Sequence, residues 1–200
     1  MQIHLITDDR HTIDQLIQKV SDLQDSIDYL HIREKTKSAK DVANLVKQLI
    51  NSGFDRSQLV INDRVDAAVL AGVNQVQLPS HSFDVKEVKA KFPYLTAGVS
   101  VHSVEEAIQA EKDGADYCLF GHIYPTGSKS FAPGRGTEAL QEVVNAVAIP
   151  VISIGGITGE KIAELKKIKP AGIAVMSAIL SADHPRRAAE SFVQLLKEEQ

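Results

Sequence analysis

The chain has 200 residues, enough to bury one sizeable core, and reads as a single domain over 1–200. Lys plus Arg number 22 against 26 Asp plus Glu, a formal charge of −4 with no basic run, which argues against a nucleic-acid partner. No apolar stretch approaches the roughly 18 residues that span a bilayer, the N-terminus has no signal-peptide pattern, and Cys118 is the one cysteine, so no internal disulfide or cysteine-rich zinc site is expected. These features predict a cytoplasmic protein without a membrane partner, in which Cys118 packs as a small core residue.

Short β-branched runs alternate with longer helical patterns. In chain order the pattern predicts strand Gln2–Thr7, helix Thr12–Leu23, strand Tyr29–Glu34 and helix Ser38–Asn51. Strand Gln58–Asn62, helix Val65–Ala71, strand Gln75–Leu78 and helix Asp84–Lys91 follow. The second half repeats the theme: strand Leu95–Ser100, helix Val104–Asp113, strand Ala115–Gly121 and helix Glu138–Val147. Strand Pro150–Ile154, helix Gly159–Lys167, strand Ala171–Met176 and helix Pro185–Lys197 close the chain. Ser103 followed by Glu106 resembles a capping box. Eight strands, each followed by a helix, is the count of an α/β protein of the compact single-domain (β/α)₈ TIM-barrel type. A six-stranded doubly wound sheet is the alternative; the regular spacing and the lack of a second subdomain favour the barrel.

A barrel gathers its chemistry at the C-terminal strand ends, with phosphate often held after strands seven and eight. Strand two ends in Arg33-Glu34-Lys35, two cations for an anionic group with an acid to orient a cation. Strand three ends in Asn62, which donates and accepts, and Asp63, read as a cap for the next helix in preference to a metal ligand. After strand four, His81 reads as an exposed loop histidine. Strand five offers Ser100 for substrate contact, with His102 either a second acid/base or the start of a helix. His4 and His31, inside strands, read as structural, and the histidines have no metal-ligand spacing.

Strand six is apolar and ends at Gly121-His122, where buried strand meets loop. Thr126, Gly127, Ser128 and Lys129 then supply hydroxyls, backbone N–H groups and a cation. An imidazole beside an anion-friendly loop suits proton transfer on a phosphorylated substrate. Gly155 and Gly156 after strand seven let backbone approach an anion closely. Met176 and Ser177 after strand eight lead into a helix start that presents N–H groups to phosphate.

Six segments together resemble the thiamin-phosphate synthase and thiazole tautomerase superfamily along nearly the whole chain. They are HIREK at 31–35, VINDRVDAAV at 60–69, GVSVHS at 98–103, ADYCLFGHIYPTGSK at 115–129, ISIGGI at 152–157 and IAVMSAI at 173–179. The resemblance separates two branches. Synthases typically carry a second acidic metal ligand after strand four, where this chain has Ser82, and Gly-Pro where this chain has Gly121-His122. Histidine there resembles the tautomerase branch, which implies an isomerase needing no metal and no cofactor. Its implied substrate is a phosphorylated, carboxylated, non-aromatic thiazole.

The resemblance implies His122 as the proton carrier and Gly155, Gly156, Met176 and Ser177 as a phosphate cradle. Arg33, Lys35, Asn62 and Ser100 match polar positions of the synthase's other half-site and are assigned to the substrate carboxylate or to pocket shape. Synthase activity and a non-catalytic, phosphate-binding regulatory role are the competing readings. The outer helix faces leave room for a homodimer.

Overall fold

The computed structural model describes residues 1–126 and 133–198. Over these residues eight parallel strands close into a barrel in simple sequence order. They are β1 (Gln2–Ile6), β2 (Tyr29–Ile32), β3 (Leu59–Asn62), β4 (Gln75–Leu78), β5 (Thr96–Val101), β6 (Tyr117–Gly121), β7 (Val151–Ile154) and β8 (Gly172–Val175). The ring is completed by β8 on β1, with Leu5 opposite Val175. The barrel expected from the sequence is the observed architecture.

The helices around it are α1 (Ile13–Val20), α2 (Ala39–Asn51), α3 (Val65–Ala71), α4 (Val85–Lys91) and α5 (Val104–Lys112). They continue as α6 (Gly136–Ala146), α7 (Ile162–Ile168), α8 (Ser177–Leu180) and α9 (Pro185–Lys197). Local chemistry sets several starts. Thr12 with Gln15 and Ser38 with Asp41 form reciprocal capping boxes at α1 and α2, and Pro185 fills the first turn of α9, where a missing N–H is harmless. None of the helices among the described residues is long and apolar enough to cross a membrane.

Three local expectations are corrected. Asp63 does not cap α3: Arg64 occupies that position without a side-chain cap bond, and Asp63 sits at φ 68 with its carboxylate 3.4 Å from His81. The capping box at α5 is half formed. Ser103 accepts from the Glu106 N–H, but Glu106 reaches one residue further back, to the N–H of His102 at 2.7 Å. The seventh helix begins as a 3₁₀ turn, Gly159–Lys161, and α8 is a further short helix between β8 and α9 that periodicity did not reveal.

Strand alternation builds two cores. Ile3 and Leu5 of β1, and Cys118 and Phe120 of β6, face outward into the large core beneath the helices. The packing of Cys118 follows the expectation, and burial pushes its thiol up to about 12. The alternate residues turn into the barrel, where Ile6, Tyr117, Leu119, Ile152 and Ala174 form a separate cluster. Below them lies a polar layer. The His4 ring is 6.3 Å from that of Tyr117, across the interior from a strand that β1 does not pair with. His4 Nδ1 and His31 Nε2 are 2.8 Å apart, one donating and one accepting. Burial drives His4 down to about 3, and burial together with the neighbouring His4 holds His31 well below the usual imidazole range.

Candidate functional site

A cavity of about 410 Å³ opens at the C-terminal strand ends. Its apolar floor is the top of the inner cluster: Ile6, Leu119, Ile154 and Ala174. Such a floor beneath a few convergent polar groups is the common build of a small-molecule site.

One wall comes from β2. Arg33 and Lys35 both line the cavity, while the intervening Glu34 is buried and turned away. The segment is held from several sides. Thr7 Oγ1 accepts from the Arg33 N–H at 2.8 Å, and Lys37 bonds the Glu34 carboxylate and also the His11 carbonyl at 3.0 Å. Burial works against the charge of Lys37, but bonds and charge from Glu34, joined by Asp9, outweigh it and raise its pKa. Glu34 therefore does orient a cation, but that cation is Lys37. Arg33 and Lys35 make no ion pair among the described residues, and both line the cavity.

Asn62 of β3 and Ser100 of β5 line the next part of the wall, as expected. Ser100 has a partner that strand-end reasoning missed. The buried Gln77 of β4 donates from Nε2 to Ser100 Oγ at 3.1 Å. An oxygen that accepts there keeps its own O–H to donate into the cavity. The signal for Gln77 was a polar residue between the apolar Val76 and Leu78 of a barrel strand.

The opposite wall holds His122. It is buried, lies just beyond β6 and lines the cavity. Its backbone is tied down: the His122 carbonyl accepts from Arg135 N–H at 2.9 Å, and the next two N–H groups bond Ile154 O and Gly155 O at 2.9 and 3.0 Å. Gly155 and Gly156 sit beside it with φ of 102 and 66, a backbone region that side-chain-bearing residues rarely adopt. A Cβ on Gly156 would stand 2.5 Å from the Pro125 carbonyl oxygen. Met176 and Ser177 line the same end of the cavity at the start of α8, where the first N–H groups of a helix lack intrahelical acceptors. Thr126 also lines the cavity. Gly127, Ser128 and Lys129 lie outside the described residues.

His81 and His102 border the cavity too. His81 is exposed, as expected, and faces Asp63. His102 precedes α5 and bonds the Gly121 carbonyl at 2.8 Å through Nδ1. A magnesium site of the kind that serves phosphate chemistry takes one or two carboxylates plus substrate phosphate oxygens. Asp63 supplies one carboxylate, already paired with His81, and Ser82 offers only a hydroxyl, which donates to the Asp63 carbonyl at 3.5 Å. Among the described residues no three His, Cys, Asp or Glu side chains converge on a metal position. The residues present do not fit a two-carboxylate site.

Fold and cavity define a (β/α)₈ barrel with a cavity at the strand ends, an imidazole and a glycine pair on one wall and two cations on another. A family model described as thiamine monophosphate synthase matches residues 3–179. The thiamine-phosphate synthase of Chlorobium luteolum is 38% identical over 178 residues, 87% of this chain and 84% of that protein. The thiamine-phosphate synthase of Pyrococcus horikoshii is 31% identical over 199 residues, 99% of this chain and 96% of that protein. Among solved structures, a thiamine phosphate pyrophosphorylase from Pyrococcus furiosus superposes with a TM-score of 0.85 at 30% identity, covering 98% of this chain and 95% of that one. A 3-hexulose-6-phosphate synthase, with a TM-score of 0.79 at 15% identity, shares the fold alone. The chain belongs to the thiamine monophosphate synthase family.

Proposed function

We propose that the protein is a thiazole tautomerase. It converts 2-carboxy-4-methylthiazol-5(2H)-ylidene ethyl phosphate to the aromatic 2-carboxy-4-methylthiazole ethyl phosphate. The observation that carries this reading is the buried His122 on the cavity wall, against Gly155 and beside the phosphate cradle assigned to Gly155, Gly156, Met176 and Ser177.

The chemistry asks for one proton carrier and two anion anchors. His122 takes the proton from ring C2. The electron pair of that bond enters the ring, the double bond to the exocyclic carbon shifts into the ring, and that carbon receives a proton. No electrons are gained or lost overall. An imidazole suits both halves because its two protonation states are both accessible near neutral pH. The cradle binds the phosphate. Arg33 and Lys35, unpaired within the described residues, bind the carboxylate on the opposite wall. Ser100, set as a donor by Gln77, adds a hydrogen bond to the same end. Thr126 lines the cavity on the His122 side and, in this reading, contributes to phosphate binding with Gly127, Ser128 and Lys129.

Purified protein incubated with the non-aromatic substrate should accelerate the appearance of the aromatic ultraviolet band over buffer. Equal rates with and without protein would remove the assignment.

Thiamin-phosphate synthesis is the second reading, favoured by the names of the relatives and by the presence of Lys35, Asn62, Asp63 and Lys129 in the sequence. Against it stand Ser82 and His122 at positions where synthases resembling this chain carry an acid and a proline. Magnesium-dependent release of pyrophosphate from the pyrimidine pyrophosphate and thiazole phosphate would establish it in place of the tautomerase.

A further inference from the structure

The Gly121 carbonyl receives two side-chain donors from different parts of the barrel rim. His102 Nδ1, between β5 and α5, lies 2.8 Å from this oxygen. Arg135 Nε, at the start of α6, lies 3.0 Å from it. A carbonyl oxygen only accepts, so Nδ1 of His102 carries the proton, and the two donors together match the two lone pairs of the oxygen.

That carbonyl belongs to the peptide unit joining Gly121 to His122. A peptide unit is planar, so the direction of its oxygen and the position of the following Cα are fixed together. The next peptide unit is held as well: the His122 carbonyl accepts from the Arg135 N–H, and the Ile123 N–H donates to Ile154, both at 2.9 Å. With both flanking planes anchored, the Cα of His122 is set, and with it the point from which the ring projects. Gly121 itself leaves no slack, because a Cβ there would lie 2.4 Å from the Ile154 carbonyl oxygen.

His102 is in turn fixed by the start of α5. Its N–H donates to Glu106 at 2.7 Å, and the Glu106 N–H donates to Ser103 at 3.2 Å. The incomplete capping box is thus the support of this histidine: the Glu106 carboxylate serves His102 in place of the N-cap.

We propose that His102 is a positioning residue for His122, acting through the Gly121 carbonyl as one jaw of a clamp whose other jaw is Arg135. Its effect on rate rests on the tautomerase reading; its effect on the placement of the His122 ring does not. Asparagine is the informative replacement. Its amide N–H₂ can donate much as Nδ1 does, but it cannot carry a proton in catalysis.

The test uses His102→Ala, His102→Asn and Arg135→Met in the full chain, with two readouts. The first is steady-state kinetics. His102→Ala and Arg135→Met should each lower kcat about ten- to a hundred-fold with KM within about three-fold, since a misplaced reacting group costs rate on this scale. His102→Asn should recover to within about five-fold of wild type. In a His122→Gln background, His102→Ala should cause no further loss, because residues that act as a unit are non-additive.

The second readout is the imidazole NMR of His122. Its signals should shift or broaden in His102→Ala and in Arg135→Met, and return toward their wild-type positions in His102→Asn. If wild type shows no tautomerase turnover, the functional reading fails and the NMR alone decides the clamp. His122 signals unmoved by His102→Ala and Arg135→Met would overturn the proposal. So would a His102→Asn protein as slow as His102→Ala, or a further loss in the His122→Gln background, either of which makes His102 a proton carrier in its own right.

Discussion

Gly155 stands directly against His122: a Cβ built on Gly155 would lie 2.2 Å from the Cβ of His122 and 2.6 Å from its Cα. The glycine of the proposed phosphate cradle and the proposed proton carrier therefore share one contact. The two functions are separable in chemistry and joined in packing.

Gly155→Ala tests that contact. The new methyl group must push His122 aside, and alanine at φ 102 is strained in any case, at about 1–3 kcal/mol. Turnover should fall more than ten-fold, and thermal unfolding should move down by roughly 2–4 °C for each kcal/mol lost. An alanine variant with unchanged turnover would show that the ring does not need this position.

His122→Gln separates chemistry from binding. If His122 shuttles the proton, kcat should fall by about 10²–10⁴. Affinity for the aromatic product phosphate, measured by calorimetry, should stay within about three-fold, because the proposed cradle atoms are backbone groups of β7, β8 and their loops. A glutamine variant near wild-type turnover would sink the mechanism.

The eight-strand count was legible because parallel barrel strands are buried on both faces and read as short apolar runs. The boundaries slipped where polarity changes at the rim. Arg33 and Glu34 were read as strand, but β2 stops at Ile32, where the Arg33 N–H turns to Thr7, the Glu34 carboxylate to Lys37 and the Arg33 side chain to the cavity. The site positions at strand ends were legible for the same geometric reason: ten of the thirteen expected site residues line the cavity, and the other three, Gly127, Ser128 and Lys129, lie outside the described residues. What the sequence hid was support from distant segments. Gln77 meets Ser100 from the neighbouring strand, and Arg135 meets Gly121 from the start of α6. No local periodicity or spacing encodes either pairing, the second of which joins residues 14 apart in the chain.

Gln77→Leu should act on binding more than on chemistry. It removes the donor that fixes Ser100 Oγ as an acceptor, so the Ser100 hydroxyl is free to turn away from the ligand. Leucine is close to glutamine in volume, which limits packing loss. KM should rise about three- to ten-fold with kcat within about three-fold. A kcat loss at unchanged KM would place Gln77 in the chemistry instead.

The last prediction concerns stability in acid. His4 and His31 are buried neutral, His4 with its value driven to about 3 and His31 with its own well below normal. In the unfolded chain both return to about 6.5. Below that pH the unfolded state binds protons that the folded state refuses, so unfolding becomes progressively more favourable. Stability from this pair is complete above about pH 6.5 and drains away as pH falls toward the folded values. Each such histidine costs about 1.4 kcal/mol per pH unit in that window, so His4 alone removes ~2 kcal/mol between pH 7.5 and pH 5. Asp41 and Asp55, whose values are lowered mainly by bonds from Ser38 and Ser57, add their losses at lower pH, as they protonate. Urea unfolding at pH 7.5, 6 and 5 measures the slope. The double variant His4→Gln, His31→Gln should be less stable at pH 7.5 and should show a shallower decline than wild type. A wild-type protein equally stable at pH 7.5 and pH 5 would mean that the pair takes up its protons while folded.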